Sequence, residues 1–79
     1  MNELEIIKSL QILMREFFQR PDLTITENTT ATDIEAWDSL NHMSLIGEVE
    51  KQFRIQFDFF EVMEFENIGE LIQSIKTKI

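Results

Sequence analysis

The sequence predicts an all-α fold: a small four-helix bundle of three main helices plus one short helix, with a long loop between the first two helices. Three observations predict it. Apolar residues recur at helical spacing in three separate stretches. Only two Gly and one Pro are present, too few for a turn-rich β architecture. The chain has 79 residues, 43% of them hydrophobic, which suits one domain with a modest core.

The first helix is expected from about Asn2 to Gln19. Ile6, Leu10, Leu13 and Phe17 mark its buried stripe, widened by Ile7 and Met14. Asn2 can cap it with Glu5 completing a capping box, and Pro21 should stop it. From Asp22 to Trp37 no period is sustained, and Thr and Asn residues favour turns. Leu23, Ile25, Ile34 and Trp37 should pin this loop to the core. Asp38 and Ser39 open the second helix, where either side chain could accept a bond from a first-turn amide. Its buried side runs through Leu40, Met43, Leu45, Ile46, Val49 and Phe53, while Glu48, Glu50 and Lys51 should face water. Gly47 falls mid-helix, where close packing is its expected reason.

Phe53 to Phe57 alternates apolar and polar residues. One short strand would lack a partner, so an extended connection is expected. Phe59 to Glu64 can form the short helix with Asp58 as cap. The last helix starts at Asn67, with Glu70 completing a capping box and Ile68, Leu71, Ile72 and Ile75 as the stripe. Lys76 and Lys78 suit the negative end of its dipole.

Composition excludes several functions. With no Cys there is no disulfide, thiolate metal site or Cys nucleophile. No apolar run approaches a membrane span, and the first residues are acidic where a signal peptide is basic, so a cytoplasmic protein without membrane insertion is expected. The formal net charge of -8 makes nucleic acid and anionic membranes poor partners and a basic protein surface a better one. The charge is also uneven. Between Asp22 and Glu70 only Lys51 and Arg54 are cationic, against a dozen acids.

The chemical candidate is Trp37-Asp38-Ser39-Leu40. A Ser at a helix start is exposed and rigidly held, and a phosphate ester there would meet the dipole and free amides. Asp38 sets a carboxylate beside the hydroxyl. Taken alone, the Asp-Ser pair reads first as a cap. The surrounding chain adds more. Asp38-Ser39-Leu40 is followed by Met43, Leu45, Ile46 and Val49, then Glu50-Lys51-Gln52-Phe53. Ile55, Phe57 and Asn67-Ile68-Gly69-Glu70-Leu71-Ile72 come next. In this order and spacing the chain resembles the acyl carrier protein family over essentially its whole length.

The resemblance implies a single carrier domain over 1–79 that is not an enzyme. Ser39 would be esterified with 4′-phosphopantetheine, taken from coenzyme A by a phosphopantetheinyl transferase. The thiol of that arm would hold an acyl group as a thioester for partner enzymes. Asp38 and Leu40 would serve the cofactor site. Trp37, Met43, Glu48, Glu61 and Glu64 would meet partners with basic docking patches, and the carrier would act as a monomer. Glu35-Ala36 stands where many members have a Gly, and Asn41 and Ser44 stand where many fatty-acid carriers have acids. The Trp-Asp-Ser-Leu form looks more like discrete carriers of specialised pathways.

Other readings are an unmodified acidic adaptor that uses Ser39 only as a cap, and an aminoacyl or peptidyl carrier with the same arm. A Ser39–His42 nucleophile pair lacks an orienting acid and an oxyanion hole, which leaves His42 as a surface or partner contact. One His and no Cys argue against a transition-metal site, and no Asp-x-Asp-x-Asp-Gly loop supports a calcium site. Most of Phe53, Phe57, Phe59, Phe60 and Phe65 should pack in the core. Such crowding points to a short or polar cargo.

Overall fold

A computed structural model describes all residues, 1–79. Four helices appear: α1 (Glu3–Phe17), α2 (His42–Phe53), α3 (Phe59–Glu64) and α4 (Ile68–Lys78), with a single 3-10 turn at Ala31–Asp33 in the long loop. α1 packs against both α2 and α4. All 15 buried residues are apolar, so the core contains no polar group that needs a partner.

α1 begins on the expected capping box. Asn2 Oδ1 accepts from the Glu5 amide at 2.9 Å, and Glu5 Oε1 accepts from the Asn2 amide at 3.2 Å. It ends slightly earlier than expected, and Pro21 is not what ends it. Gln19 takes the left-handed conformation (φ 55°). The Arg20 amide then reaches Arg15 C=O and the Gln19 amide reaches Glu16 C=O, which closes the last turn. Arg54 does the same after α2, at φ 58°. Its amide and that of Ile55 both bond to Glu50 C=O. The 53–57 alternation is indeed a connection and not a strand. Phe53, Ile55 and Phe57 pack against the core while Arg54 and Gln56 face out.

The long loop is a strap. Leu23, Ile25, Ile34 and Trp37 are buried as expected. Gln11 Oε1 accepts from the Ile25 amide at 2.9 Å, and Arg15 Nε donates to Leu23 C=O at 2.6 Å. The far side of the strap feeds α4. Thr29 C=O accepts from the Ile68 amide at 2.9 Å and Glu27 C=O from the Gly69 amide at 2.8 Å. With Asn67 Oδ1 taking the Glu70 amide, the first-turn donors of α4 are filled. Gly69 is required by this approach. A Cβ there would lie 3.0 Å from Glu27 O and 3.2 Å from Asn67 Oδ1.

Several expectations are corrected. Glu70 does not complete a capping box, because its carboxylate takes the Glu66 amide instead. Asp58 stands at the α3 cap position, but its side chain makes no cap bond. Glu50 does not simply face water; its carboxylate reaches over to the Phe57 amide at 2.8 Å. Nothing lies within 4 Å of where a Gly47 Cβ would be, so packing is not its reason. No Phe is fully buried. Phe53, Phe57 and Phe65 line the rim of the core, and Phe59 and Phe60 are exposed as an edge-to-face pair. The six-residue α3 is too short to bury both faces, so only Val62 points inward.

The two glycines therefore predict opposite effects in chemical denaturation. Gly47→Ala should stabilise the fold by about 0.5–1 kcal/mol, the helix-propensity gain with no clash. Gly69→Ala should destabilise it by roughly 1–3 kcal/mol, because the new Cβ crowds the Glu27 carbonyl that bonds to the start of α4.

Two carboxylates join distant parts of the chain. Glu3 Oε1 accepts from Gln73 Nε2 at 2.6 Å and from Lys76 Nζ at 3.4 Å. Glu61 accepts from Ser74 Oγ and pairs with Lys78 Nζ at 3.0 Å. The Gln73 bond first, then Lys76, holds Glu3 below its ordinary value. The Ser74 hydroxyl, aided by Lys78 against partial desolvation, does the same for Glu61. A lowered folded pKa stabilises above the unfolded value and is lost as pH falls through the folded one. Thermal stability should thus be insensitive to these groups at neutral pH and fall below about 4.5, the ordinary value of both. Melting followed across this range checks it, and Glu61→Gln should shallow the acid slope.

Candidate functional site

The strap delivers the chain to α2 through a buried indole. Trp37 is only 9% exposed and packs beside Phe18, with ring centroids 6.3 Å apart. A buried indole N–H needs an acceptor. Trp37 Nε1 donates to His42 Nδ1 at 3.1 Å, and the two rings stack at 5.8 Å. With Nδ1 accepting, the neutral imidazole carries its proton on Nε2 and donates it to Val62 C=O, 2.9 Å away on α3.

Asp38 follows, and it caps the turn that leads into α2. Its Oδ1 accepts from the Leu40 amide at 2.9 Å and from the Asn41 amide at 3.0 Å. Asn41 Oδ1 returns a bond to the Asp38 amide at 3.0 Å, so the pair forms a capping box with Asn in the place usual for Glu or Gln. The His42 amide bonds to Asp38 C=O at 3.1 Å, so the first turn of α2 runs from Asp38 although regular helix begins at His42. Ser39 is thereby fixed just inside the helix start. Its side chain is exposed and takes no part in this network. Ser39 is therefore not the cap, and the reading of Ser39 as a cap alone does not hold. The expected phosphate cradle also changes. The Leu40 and Asn41 amides are already committed to the Asp38 carboxylate, which leaves the Ser39, Met43 and Ser44 amides as the donors without a partner at this helix start.

Around this hydroxyl the surface is apolar. Leu40 is 89% exposed and Met43 45% exposed, neither on the buried side where the helical period placed them. A cleft of about 300 Å³ opens beside Ser39, lined among others by Trp37, His42, Met43, Met63 and Leu71. The larger hollow in the molecule is edged by Glu3, Glu27, Glu61, Glu64 and Glu70, and it does not reach Ser39.

The site residues sort by position. Asp38, Ser39, Leu40 and Met43 come together. Trp37, expected among the partner contacts, is buried and engaged with His42. Glu61 is tied to Ser74 and Lys78, and Glu48 lies 3.7 Å from Lys51, so neither is an unpaired anion. Glu64 is exposed and forms no ion pair. The sequence reading missed His42 as the link between the strap, α2 and α3. The clue was Trp37 itself, a large indole expected in the core with one imidazole five residues on.

Comparison with known proteins supplies the family. The family described as phosphopantetheine attachment site matches residues 8–75. This chain belongs to the acyl carrier protein family. Among solved structures it is similar to the solution NMR structure of the holo acyl carrier protein from Geobacter metallireducens. That likeness has 34% identity and a TM-score of 0.85, and covers 92% of this chain and 84% of the other. No curated protein is a significant match. The cofactor of this carrier is a covalently attached phosphopantetheine. The residues present fit it, because an exposed, unengaged hydroxyl sits at a helix start beside an apolar cleft. No helix of the carrier is long and apolar enough to cross a membrane.

The division of labour between Asp38 and Ser39 predicts distinct stabilities. Asp38→Ala should cost about 1–2 kcal/mol in urea unfolding, the usual loss of a cap. Ser39→Ala should change stability by no more than about 0.5 kcal/mol. Equal losses would return the cap to Ser39.

Proposed function

We propose that Ser39 is the residue that carries the arm, and that the protein is a single carrier domain that tethers acyl intermediates without catalysing their chemistry. One observation supports this above the others. In the turn where the family's attachment motif falls, the carboxylate does the capping and the hydroxyl is left exposed. Modification joins Ser39 Oγ to the phosphorus of the pantetheine phosphate. The pyrophosphate bond of coenzyme A breaks, its adenosine bisphosphate part leaves, and the hydroxyl proton passes to a base on a separate phosphopantetheinyl transferase. The arm then supplies a thiol that can hold an acyl group as a thioester.

The chain's own contribution is positional. Asp38 holds the first turn of α2 so that the Ser39 hydroxyl projects in one direction. Leu40 and Met43 offer apolar contact to enzymes that dock around it. Of the three acids expected to meet a basic patch, Glu64 is the one without an ion pair, since Glu48 and Glu61 have partners within the chain. Exposed pairing of this kind speeds and orients encounter and weakens with salt. The charge, the absence of Cys and the Trp37-Asp38-Ser39-Leu40 form favour a monomeric cytoplasmic carrier of a specialised biosynthetic pathway.

Incubation with coenzyme A, magnesium and a broad-specificity phosphopantetheinyl transferase tests the assignment by intact mass. The wild-type chain should gain one phosphopantetheine and Ser39→Ala none. An unchanged wild-type mass beside an active control carrier, or modification of Ser39→Ala, would contradict it.

A further inference from the structure

α3 depends on other parts of the molecule for its place. It has six residues and one buried side chain, Val62. A helix of that length does not persist alone. The Val62 carbonyl lacks a partner within α3, because the amide four residues on, that of Glu66, is given to Glu70 Oε1. His42 Nε2–H fills that vacancy from across the cleft at 2.9 Å. The imidazole is fixed at its other nitrogen by the Trp37 indole. One ring thus ties the strap, α2 and α3 together, and its tautomer is set at both ends. Glu61, paired with Ser74 and Lys78, ties α3 to α4 separately.

His42 follows Ser39 by three residues, so the two lie on neighbouring parts of one helical face. Both line the cleft of about 300 Å³. At roughly 30 Å³ per small non-hydrogen group, that space takes on the order of ten such groups. Beyond His42 the wall is closed by Val62 and Leu71, both essentially without exposure, and Leu45 lies outside the cleft. A chain tethered at Ser39 that folds back along α2 meets Trp37 and His42 first. Going deeper requires parting the imidazole from Val62 C=O, which leaves an orphaned carbonyl in an apolar setting.

We infer that His42 is a clasp that holds α3 against α2 and sets the length of acyl group the cleft accepts: a short acyl group fits beside Ser39, and a long one stays outside the core. This rests on Ser39 carrying the arm. It also replaces the argument from Phe crowding, since no Phe is fully buried. His42 acts here as a positioning residue for cargo.

The test begins on the unmodified protein. Long-range proton–nitrogen NMR should show His42 with bare Nδ1 and protonated Nε2. A proton on Nδ1, or a freely turning ring, overturns the clasp whatever the arm does. The transferase then loads butyryl- or dodecanoyl-phosphopantetheine from the acyl-coenzyme A, and intact mass confirms loading. Failure to load overturns the carrier reading and the clasp with it. On loaded wild type, dodecanoyl should leave the methyl resonances of Leu45, which lies outside the cleft, in place, and hydroxylamine should cleave it about as fast as butyryl. His42→Leu keeps an apolar side chain of similar bulk and loses both bonds. It should shift those methyl resonances and protect the dodecanoyl thioester by about tenfold, as the buried methylenes favour the open cleft. His42→Gln, whose amide can accept from Trp37 and donate to Val62 C=O, should keep the wild-type pattern. Protection of dodecanoyl in the loaded wild type, or none in folded His42→Leu, overturns the clasp. Should His42→Leu not fold, the methyl shifts of loaded wild type decide alone.

Discussion

The site depends on one carboxylate. Asp38 Oδ1 gathers the amides of Leu40 and Asn41 and so starts α2. A helix start must satisfy several orphan donors, and short polar side chains compete for that task. Because Asp38 takes it, Ser39 is relieved of it. The result is a hydroxyl whose backbone is held by the capping box and whose oxygen has no internal commitment. The same carboxylate keeps negative charge beside that oxygen. A phosphate ester there would have the free Ser39, Met43 and Ser44 amides and the helix dipole to draw on, but not the amides of Leu40 and Asn41.

The cap in turn needs the chain to arrive from the right side, and the strap secures this. Its path is fixed by paired backbone groups, Leu23 and Ile25 on α1 side chains and Glu27 and Thr29 on the α4 amides, and by the Trp37 indole on His42. Each contact satisfies a polar group that would otherwise be stranded near the core. A loop of this length is tolerated in so small a fold because it serves as the N-terminal cap of α4. The site is therefore coupled to the bundle through backbone hydrogen bonds as well as through buried side chains.

Much of this was legible in the residues. The stripes of α1, α2 and α4 place Ile6, Leu10, Leu45, Val49, Leu71 and Ile75 inside, and periodicity alone finds them. The sequence also singles out Asp38 and Ser39, although their roles in the cap are separable only by geometry. The misses share a cause. Glu61, Trp37 and His42 depend on groups brought close by the fold. Val62 is 20 positions from His42, and Ser74 is 13 from Glu61. No local pattern encodes such pairings. Leu40 and Met43 look buried by spacing yet are exposed, because α2 turns that edge away from α1 and α4. Phe59 and Phe60 escape the core because a single turn of helix can present just one side to it.

The central claim is that Asp38 caps while Ser39 carries the arm, both in the same turn. Phosphorus–proton correlation NMR on the holo protein tests it directly, read together with the Leu40 and Asn41 amide protons. The account predicts coupling from the phosphate to the Ser39 β-protons, with both amides still protected by Asp38. Coupling to any other residue, or release of those amides when the phosphate is attached, would contradict it.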